Sequence, residues 1–220
     1  MLVLALVLVL AACDSGKTRT APSSGVKTPT AAQLRTALPT LLELPDGFTF
    51  SPDQTPEPEI SGPTPTECER LYQDFGVGDV GGEVATAAVA FEKSPVGPFL
   101  QVGLASYLDE TVPAREVRRI REGAQKCAQF VSTDPDGPTL TVKIAAAPSF
   151  PRLGDDMAAL RLDATGTSGT TPVTMSGYFV IVRVSDALCT IEYFGLSTVD
   201  ESETEDAAAK AVEKLTTLVR

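Results

Sequence analysis

The side chains that most often carry out enzyme chemistry are scarce in this sequence. The chain of 220 residues contains no histidine, so it lacks the commonest general base and the commonest ligand for transition metals. Catalysis of the Ser-His-Asp or Cys-His type is therefore excluded. The sequence also contains no Cys-x-x-Cys pair and no Gly-x-Ser-x-Gly motif, which are typical of redox enzymes and of many hydrolases. We name no catalytic residue, and we expect a non-enzyme with no cofactor and no metal ion.

Three charged groups are candidates for ligand binding, and each also has a structural explanation. Gly154-Asp155-Asp156 could hold a metal or ligand, but Gly-Asp beside a strand more often forms a turn. The arginines of one predicted helix could contact an anion or a lipid head group, although a charged helix face is usually solvated. The acidic run from Asp200 to Asp206 suits a helix N-terminus and lacks the spacing of a calcium loop. We favour the structural explanation for each, and the ligand-binding residues stay unassigned. The arginines are Arg115, Arg118, Arg119 and Arg121.

The chemistry of Cys13 is indicated by the sequence before it. Residues 2–12 form an apolar run that ends in Leu10-Ala11-Ala12, and small residues after a short apolar run are typical of a cleavage site.

Leu-Ala-Ala-Cys resembles the lipobox of bacterial lipoproteins. The resemblance implies cleavage before Cys13, a diacylglyceryl group on its sulfur and an acylated new amino terminus. The run is shorter than the roughly 18 to 20 apolar residues of a membrane-spanning helix, whereas two acyl chains give stable anchoring. Basic residues that usually precede such a run are missing, which points to a start upstream of Met1.

These features divide the chain into three parts. Residues 1–12 are the predicted signal peptide, and residues 13–30 are the lipidated cysteine followed by a flexible tether. The tether is predicted because it is rich in Ser, Thr, Pro and Gly and cannot bury enough apolar surface to fold. Residues 31–220 form a single predicted domain. The location we expect is the extracellular face of the cell membrane, through the lipid on Cys13.

The three remaining cysteines lie in segments predicted to be regular structure. Cys68 and Cys127 lie in predicted helices, and Cys189 lies in an apolar strand. An exported location permits disulfides. We predict a Cys68–Cys127 disulfide and a buried free thiol at Cys189, with Cys127–Cys189 and Cys68–Cys189 as the alternative pairings.

The elements that position these residues follow from apolar spacing. Helices are predicted over 31–42, about 66–75, from Thr111 to about Val131, and from Ser202 to the C-terminus. Thr111 is expected to cap the third helix, and Ser202 with Glu205 has the spacing of a capping box. Strands are predicted over 84–93, 99–108, 139–146, 157–165, 172–184 and 188–195. In the second strand the expected core positions are Leu100, Val102, Leu104, Ser106 and Leu108. The pattern predicts an α+β fold, an antiparallel sheet with flanking helices.

The order of these features resembles a group of actinobacterial lipoproteins that are similar to the extracellular sensor domain of PknH-type serine/threonine kinases. The residues that carry the resemblance are the two cysteine helices, Leu153-Gly154-Asp155-Asp156 and Val180-Ile181-Val182-Arg183. It implies an antiparallel sheet flanked by helices, structural disulfides including the pair Cys68 and Cys127, a cleft, and the sensing or binding of an extracellular ligand. The kinase domain and the membrane-spanning helix of those receptors are absent from this sequence.

The formal net charge of −11 argues against binding to nucleic acid or to anionic lipid heads by charge alone. We therefore expect a tethered sensor-like domain that binds an apolar or amphipathic small molecule. The alternative is an envelope protein interaction module that docks a membrane partner.

Overall fold

A single antiparallel sheet of eight strands forms the centre of the domain. The computed structural model describes residues 28–51, 67–73, 81–133, 139–196 and 199–220. Cys13, the predicted signal peptide and most of the predicted tether lie outside these residues. The Pro- and Thr-rich stretch 50–66 predicts a surface loop, and Asp134-Pro-Asp-Gly137 predicts a turn; most of the first and all of the second also lie outside the described residues.

The order of strands across the sheet is β1-β2-β3-β8-β7-β6-β5-β4. The strands are β1 (Thr49–Phe50), β2 (Ala85–Glu92), β3 (Phe99–Ser106), β4 (Gln129–Thr133), β5 (Thr139–Ala146), β6 (Asp156–Ser168), β7 (Thr171–Val184) and β8 (Ala187–Gly195). The helices are α1 (Ala31–Ala37), α2 (Glu67–Gln73), α3 (Thr111–Lys126) and α4 (Glu201–Val219). The predicted α+β class, an antiparallel sheet with flanking helices, is confirmed.

One face of the sheet, which we call the α4 face, packs against α1 and α4. Cys189, Ile191 and Tyr193 of β8 point to this face and are almost completely buried. Their partners include Ala208, Ala211 and Leu215 of α4, which recur along one side of the helix as predicted.

The opposite face, which we call the α3 face, packs against α2 and α3. Val117, Ile120 and Ala124 of α3 are buried on it together with Phe179 and Ile181 of β7. The contacts of α3 run mainly to β5, β6 and β7, and those of α2 to α3 and β4.

β3 is buried on both sides, which its alternating pattern did not predict. Leu100, Val102 and Leu104 are core residues as expected. Ala105 and Tyr107, which are not among the expected core positions, are also only 6% and 1% exposed. The expectation for Leu108 was wrong: β3 ends at Ser106, and Leu108 is 81% exposed.

The predicted end of α3 was also wrong. The helix ends at Lys126, and Val131 lies in β4, where it is 56% exposed. The chain turns at Cys127 and begins a strand that pairs with β5, so an apolar residue at helical spacing belongs to a different element.

Two predicted helix caps were wrong for the same reason: an aspartate precedes each proposed cap. Thr111 is the first residue of α3, and its backbone N–H donates to Asp109 Oδ1 at 2.8 Å. At α4 the cap is Asp200, whose Oδ1 accepts from the backbone N–H of Ser202 at 2.9 Å. A carboxylate is the stronger acceptor for these free N–H groups.

Among the described residues, no helix combines the length and the apolar character that crossing a bilayer requires.

Candidate functional site

A cleft of about 430 Å³ opens where the segment 147–155 leads into β6. It exists because β6 is longer than its neighbour β5: the last register pair between them is Ala146 with Leu160. The first residues of β6 therefore pair with β7 alone. The segment before β6 folds over this uncovered end, and buried Phe150 anchors it to the core of the α4 face.

Gly154 fixes the approach of this segment to β7. Its φ is +61°, a conformation that favours glycine. A Cβ at this position would lie 2.4 Å from the carbonyl oxygen of Arg183. The next residue, Asp155, donates its backbone N–H to the same oxygen at 2.8 Å. Gly154-Asp155-Asp156 thus forms a turn, as predicted, and this turn is one wall of the cleft.

Both apolar and charged residues line the cleft, and most of its accessible surface is polar. The apolar residues are Ala147, Phe150, Leu153, Met157 and Ala159, and the charged residues are Arg121, Arg152, Asp155 and Asp156.

Both carboxylates of the cleft already have partners. Asp156 Oδ1 accepts from Arg121 Nη2 at 2.6 Å, and the same nitrogen reaches the carbonyl oxygen of Met157 at 2.6 Å. Asp155 Oδ1 accepts from Arg220 Nη2 at 2.6 Å, and its Oδ2 accepts from the backbone N–H of Ser185 at 2.6 Å. These contacts use the carboxylates to hold the cleft walls together. Within the described ranges, no group of three or more His, Cys, Asp or Glu residues is placed to hold a metal ion.

Arg152 is the exception among the charged residues of the cleft. It is exposed, and no residue in the described part of the chain forms a hydrogen bond or an ion pair with it. The cleft therefore presents one uncommitted guanidinium near the apolar side chains of Phe150 and Leu153. Guanidinium binds carboxylate and phosphate groups with two parallel hydrogen bonds, so the arrangement suits an anionic head on an apolar body.

The arginines of α3 have different surroundings. Arg115 and Arg118 are exposed, as a solvated helix face predicts. Arg119 instead binds Glu116, which is only 4% exposed, through Nε at 3.0 and 2.9 Å. Arg121 lines the cleft. Both side chains keep about two-fifths of their surface exposed, as a solvated face predicts, and each also pairs with a carboxylate, Arg119 with Glu116 of the same helix and Arg121 with Asp156 of β6.

The acidic run at the start of α4 is structural, as favoured from the sequence. Asp200 caps the helix. Glu201 accepts hydrogen bonds from Tyr178 at 3.2 Å and from Ser149 at 2.6 Å. Glu203 binds Lys93 and the Tyr193 hydroxyl.

The cysteines beyond Cys13 are placed as predicted. Cys68 and Cys127 form a disulfide, with their Cα atoms 5.4 Å apart, and it joins α2 to the end of α3. Cys189 is a buried free thiol, and burial raises its pKa. Cys13 lies outside the described residues, so its lipidation remains a prediction.

The sequence analysis did not identify Arg152 as a candidate. Arg152 stands alone in an irregular segment between Pro151 and Leu153, where no periodicity assigns it a direction. A lone arginine next to apolar residues was the available signal, and it is too common to single out a site.

Comparisons with known proteins give one informative match. No protein-family model matches the chain, and no curated protein matches it. Among solved structures, the crystal structure of the extracellular domain of PknH from Mycobacterium tuberculosis is similar, with a TM-score of 0.53 and 11% identity. The match covers 88% of this chain and 100% of that chain.

The human StarD13 (DLC2) lipid transfer and protein localization domain matches with a TM-score of 0.21 and 10% identity, over 61% of this chain and 84% of that one. A TM-score this low does not indicate a shared fold. The chain therefore has the fold of the PknH extracellular domain, as the resemblance in its sequence implied.

Proposed function

We propose that this protein is a non-catalytic lipoprotein on the extracellular face of the cell membrane, and that its sensor-like domain binds a small amphipathic anion in the cleft. The lipobox-like sequence at Cys13 supports the anchor. The fold shared with an extracellular receptor domain supports the sensor-like role. The observation that carries the ligand class is Arg152, an uncommitted cation in a cleft that also contains Phe150, Leu153 and Met157.

The size of the cleft fits such a ligand. Its volume of about 430 Å³ lies in the range of small-molecule sites. Phe150, Leu153 and Met157 would contact the apolar body. Arg152 would bind the anionic head, because Asp155 and Asp156 are already neutralised by other arginines.

The net charge of the whole chain bears on why an anion would bind at this position. A protein with a net charge of −11 repels anions at long range, so an anion binds only where a local cation and apolar contacts outweigh that repulsion.

The test compares Arg152→Gln with Arg35→Gln in the full chain. Arg35 is an exposed arginine of α1, so both variants remove one surface positive charge. Native mass spectrometry of the purified wild type is expected to show extra mass that disappears on denaturation. Calorimetric titration with decanoate should give affinity that falls roughly ten- to a hundredfold in Arg152→Gln, the usual value of a hydrogen bond to a charged group. Arg35→Gln should bind as the wild type does.

Decanol serves as the ligand control, because it keeps the apolar chain and lacks the charge. Its affinity should not distinguish the two variants. Equal decanoate binding by all three proteins would show that Arg152 does not bind the anionic head. A bare protein mass together with no decanoate binding would favour the alternative role, an envelope interaction module that docks a membrane partner.

A further inference from the structure

A second polar group lies on the α3 face, on strands that do not line the cleft. Gln101 of β3 and Glu192 of β8 are directly opposite each other in the sheet register, and Thr190 follows two residues along β8, opposite Gly103. Residues at these register positions have side chains about 5 to 7 Å apart at their bases. We call Gln101, Thr190 and Glu192 the β3–β8 polar group.

The oxygens of this group are buried without partners. Gln101 Oε1, Thr190 Oγ1 and Glu192 Oε1 have no hydrogen-bond partner in the described part of the chain. Most buried polar atoms in native proteins are hydrogen-bonded. Three unpaired acceptors on two adjacent strands therefore point to a missing donor at one place.

The neighbouring strand places small side chains beside this group. The strand next to β3 places only Ala88 and Ala90 opposite Gly103 and Gln101. The contacts of α3 run mainly to β5, β6 and β7, so that helix lies over the other half of the face.

Aromatic side chains border the same place. Phe99 and Phe194 are a cross-strand pair with ring centroids 5.5 Å apart, and Phe179 is the register partner of Glu192 on β7. The polar oxygens thus lie within an apolar and aromatic border.

Glu192 is the residue that a purely structural role does not explain. Its Oε1 is inaccessible to solvent, although the residue as a whole is half-buried, and this burial raises the pKa of the carboxyl to about 8. The carboxyl therefore keeps its proton at neutral pH in the free protein. Burying a carboxyl that has no hydrogen-bond partner costs free energy, and a leucine at this position would avoid that cost.

The unpaired atoms define the chemistry of the missing donor. An ammonium group carries three N–H donors and one positive charge, which matches three acceptors of which one can become a carboxylate. We propose that the β3–β8 polar group binds the primary ammonium group of a small molecule whose apolar body lies against Phe99 and Phe194. This goes beyond the anion proposed for the cleft and concerns a separate site.

Binding of an ammonium group is linked to release of a proton. The bound cation favours the charged form of the carboxyl, so the Glu192 proton passes to the buffer as the ion pair forms. The neighbours of Glu192 on β3 and β7 are Gln101 and Phe179, which carry no charge.

The other ionisable groups on this face include Glu92 at the end of β2, Tyr107 after β3 and Arg183 of β7. Towards α3 lie Glu116 with Arg119 and the ion pair of Arg121 with Asp156. Burial raises the pKa of Glu192, and we assign the released proton to its carboxyl.

The experiment is calorimetric titration of the full chain with n-hexylamine in two buffers of different ionisation enthalpy. The amine stays fully protonated between pH 6 and 8, so it releases no proton itself. We expect saturable binding with close to one proton released per ligand at pH 6 and about half a proton at pH 8. Hexanol and hexanoate, which lack the cation, should bind at least tenfold more weakly.

Matched variants locate the site. Glu192→Gln should weaken hexylamine binding at least tenfold and abolish proton release, and it should fold because it removes a buried ionisable group. Thr190→Val should weaken binding severalfold and leave proton release unchanged.

Glu122→Gln, which removes an exposed carboxylate of α3, and the cleft variant Arg152→Gln should bind hexylamine as the wild type does. The proposal is overturned if hexylamine shows no saturable binding, binds without releasing a proton, or binds Glu192→Gln unchanged. None of these results bears on decanoate binding in the cleft, so the two proposals fail separately.

Discussion

Glu192 and Tyr193 are consecutive residues of β8 whose side chains meet opposite faces of the sheet. Tyr193 is buried on the α4 face, and its hydroxyl binds Glu203 of α4, which also pairs with Lys93. Glu192 is buried on the α3 face, and its Oε1 has no partner among the described residues. Strand β8 therefore contributes a side chain with hydrogen-bond partners to the α4 face and a side chain with an unpaired oxygen to the α3 face.

By this difference, the polar network of the α4 face stabilises the fold, whereas the α3 face contains the proposed ammonium-binding site. On the α4 face, the Lys93 ammonium also lies 4.9 Å from the centre of the Phe48 ring, and Phe48 packs 5.9 Å from Tyr193. Every polar group of this network is matched inside the chain. On the α3 face, Gln101 Oε1, Thr190 Oγ1 and Glu192 Oε1 have no partner among the described residues, and the proposed ammonium group supplies the matching donor.

The strongest test of this contrast is a cavity on the α4 face. Ile191 is completely buried there, between Cys189 and Tyr193 on β8. Ile191→Ala should lower the free energy of unfolding by about 3 to 5 kcal/mol, because it removes buried methyl groups and leaves a void. Urea denaturation measures this loss. If the α4 face is purely structural, the folded fraction of this variant should still bind hexylamine as the wild type does, and a loss of hexylamine affinity in the folded variant would contradict the separation of the two faces.

Much of the α4 face could be predicted from the sequence, since its residues repeat with regular periods. Leu100, Val102 and Leu104 alternate along β3, and Ala208, Ala211 and Leu215 recur along α4. On the α3 face, the pairing of Cys68 with Cys127 was also predicted, from their places in two predicted helices. Periodicity predicts these residues because each one is buried by an element that carries the same repeat.

The polar positions of the α3 face could not be predicted in this way. Gln101, Thr190 and Glu192 alternate with apolar residues, a pattern that is typical of a strand with one solvated face. Their burial depends on how distant parts of the chain come together in three dimensions. The short strand β4 was missed because Val131 continues the spacing of α3, and the cleft was missed because its walls come from an irregular segment.

The second prediction concerns how Glu192 links stability to pH. Its pKa rises from the usual 4.5 to about 8 in the folded protein, so between these values the folded state holds a proton that the unfolded state has lost. Stability of the wild type relative to Glu192→Gln should therefore fall as pH rises from about 4.5 to about 8, by roughly 1.4 kcal/mol per unit on the steep part. Below pH 4.5 both states are protonated, and the difference should be smallest there.

Urea unfolding at pH 4, 6 and 9 gives the free energy of unfolding of both proteins. The contributions of other titrating groups cancel in the difference between the two values. Glu192→Gln should be the more stable protein at pH 9 by a few kcal/mol. The matched variant Glu122→Gln should follow the wild type at all three values. A difference between Glu192→Gln and the wild type that does not change with pH would mean that Glu192 is not held in its neutral form, and the contrast with Tyr193 would lose its basis.

The smallest effect is expected from the polar network of the α4 face itself. Tyr193→Phe removes one hydroxyl and keeps the buried ring, and Glu203 retains its ion pair with Lys93. The free energy of unfolding should therefore fall by only about 1 kcal/mol, the net value of one hydrogen bond whose remaining partner stays satisfied. Lys93→Met in the same background should cost more than in the wild type, because Glu203 would then lose both partners and remain partly buried. A double-mutant cycle of these two changes measures that coupling, and additive losses would show that the α4 face contains separate contacts in place of one network.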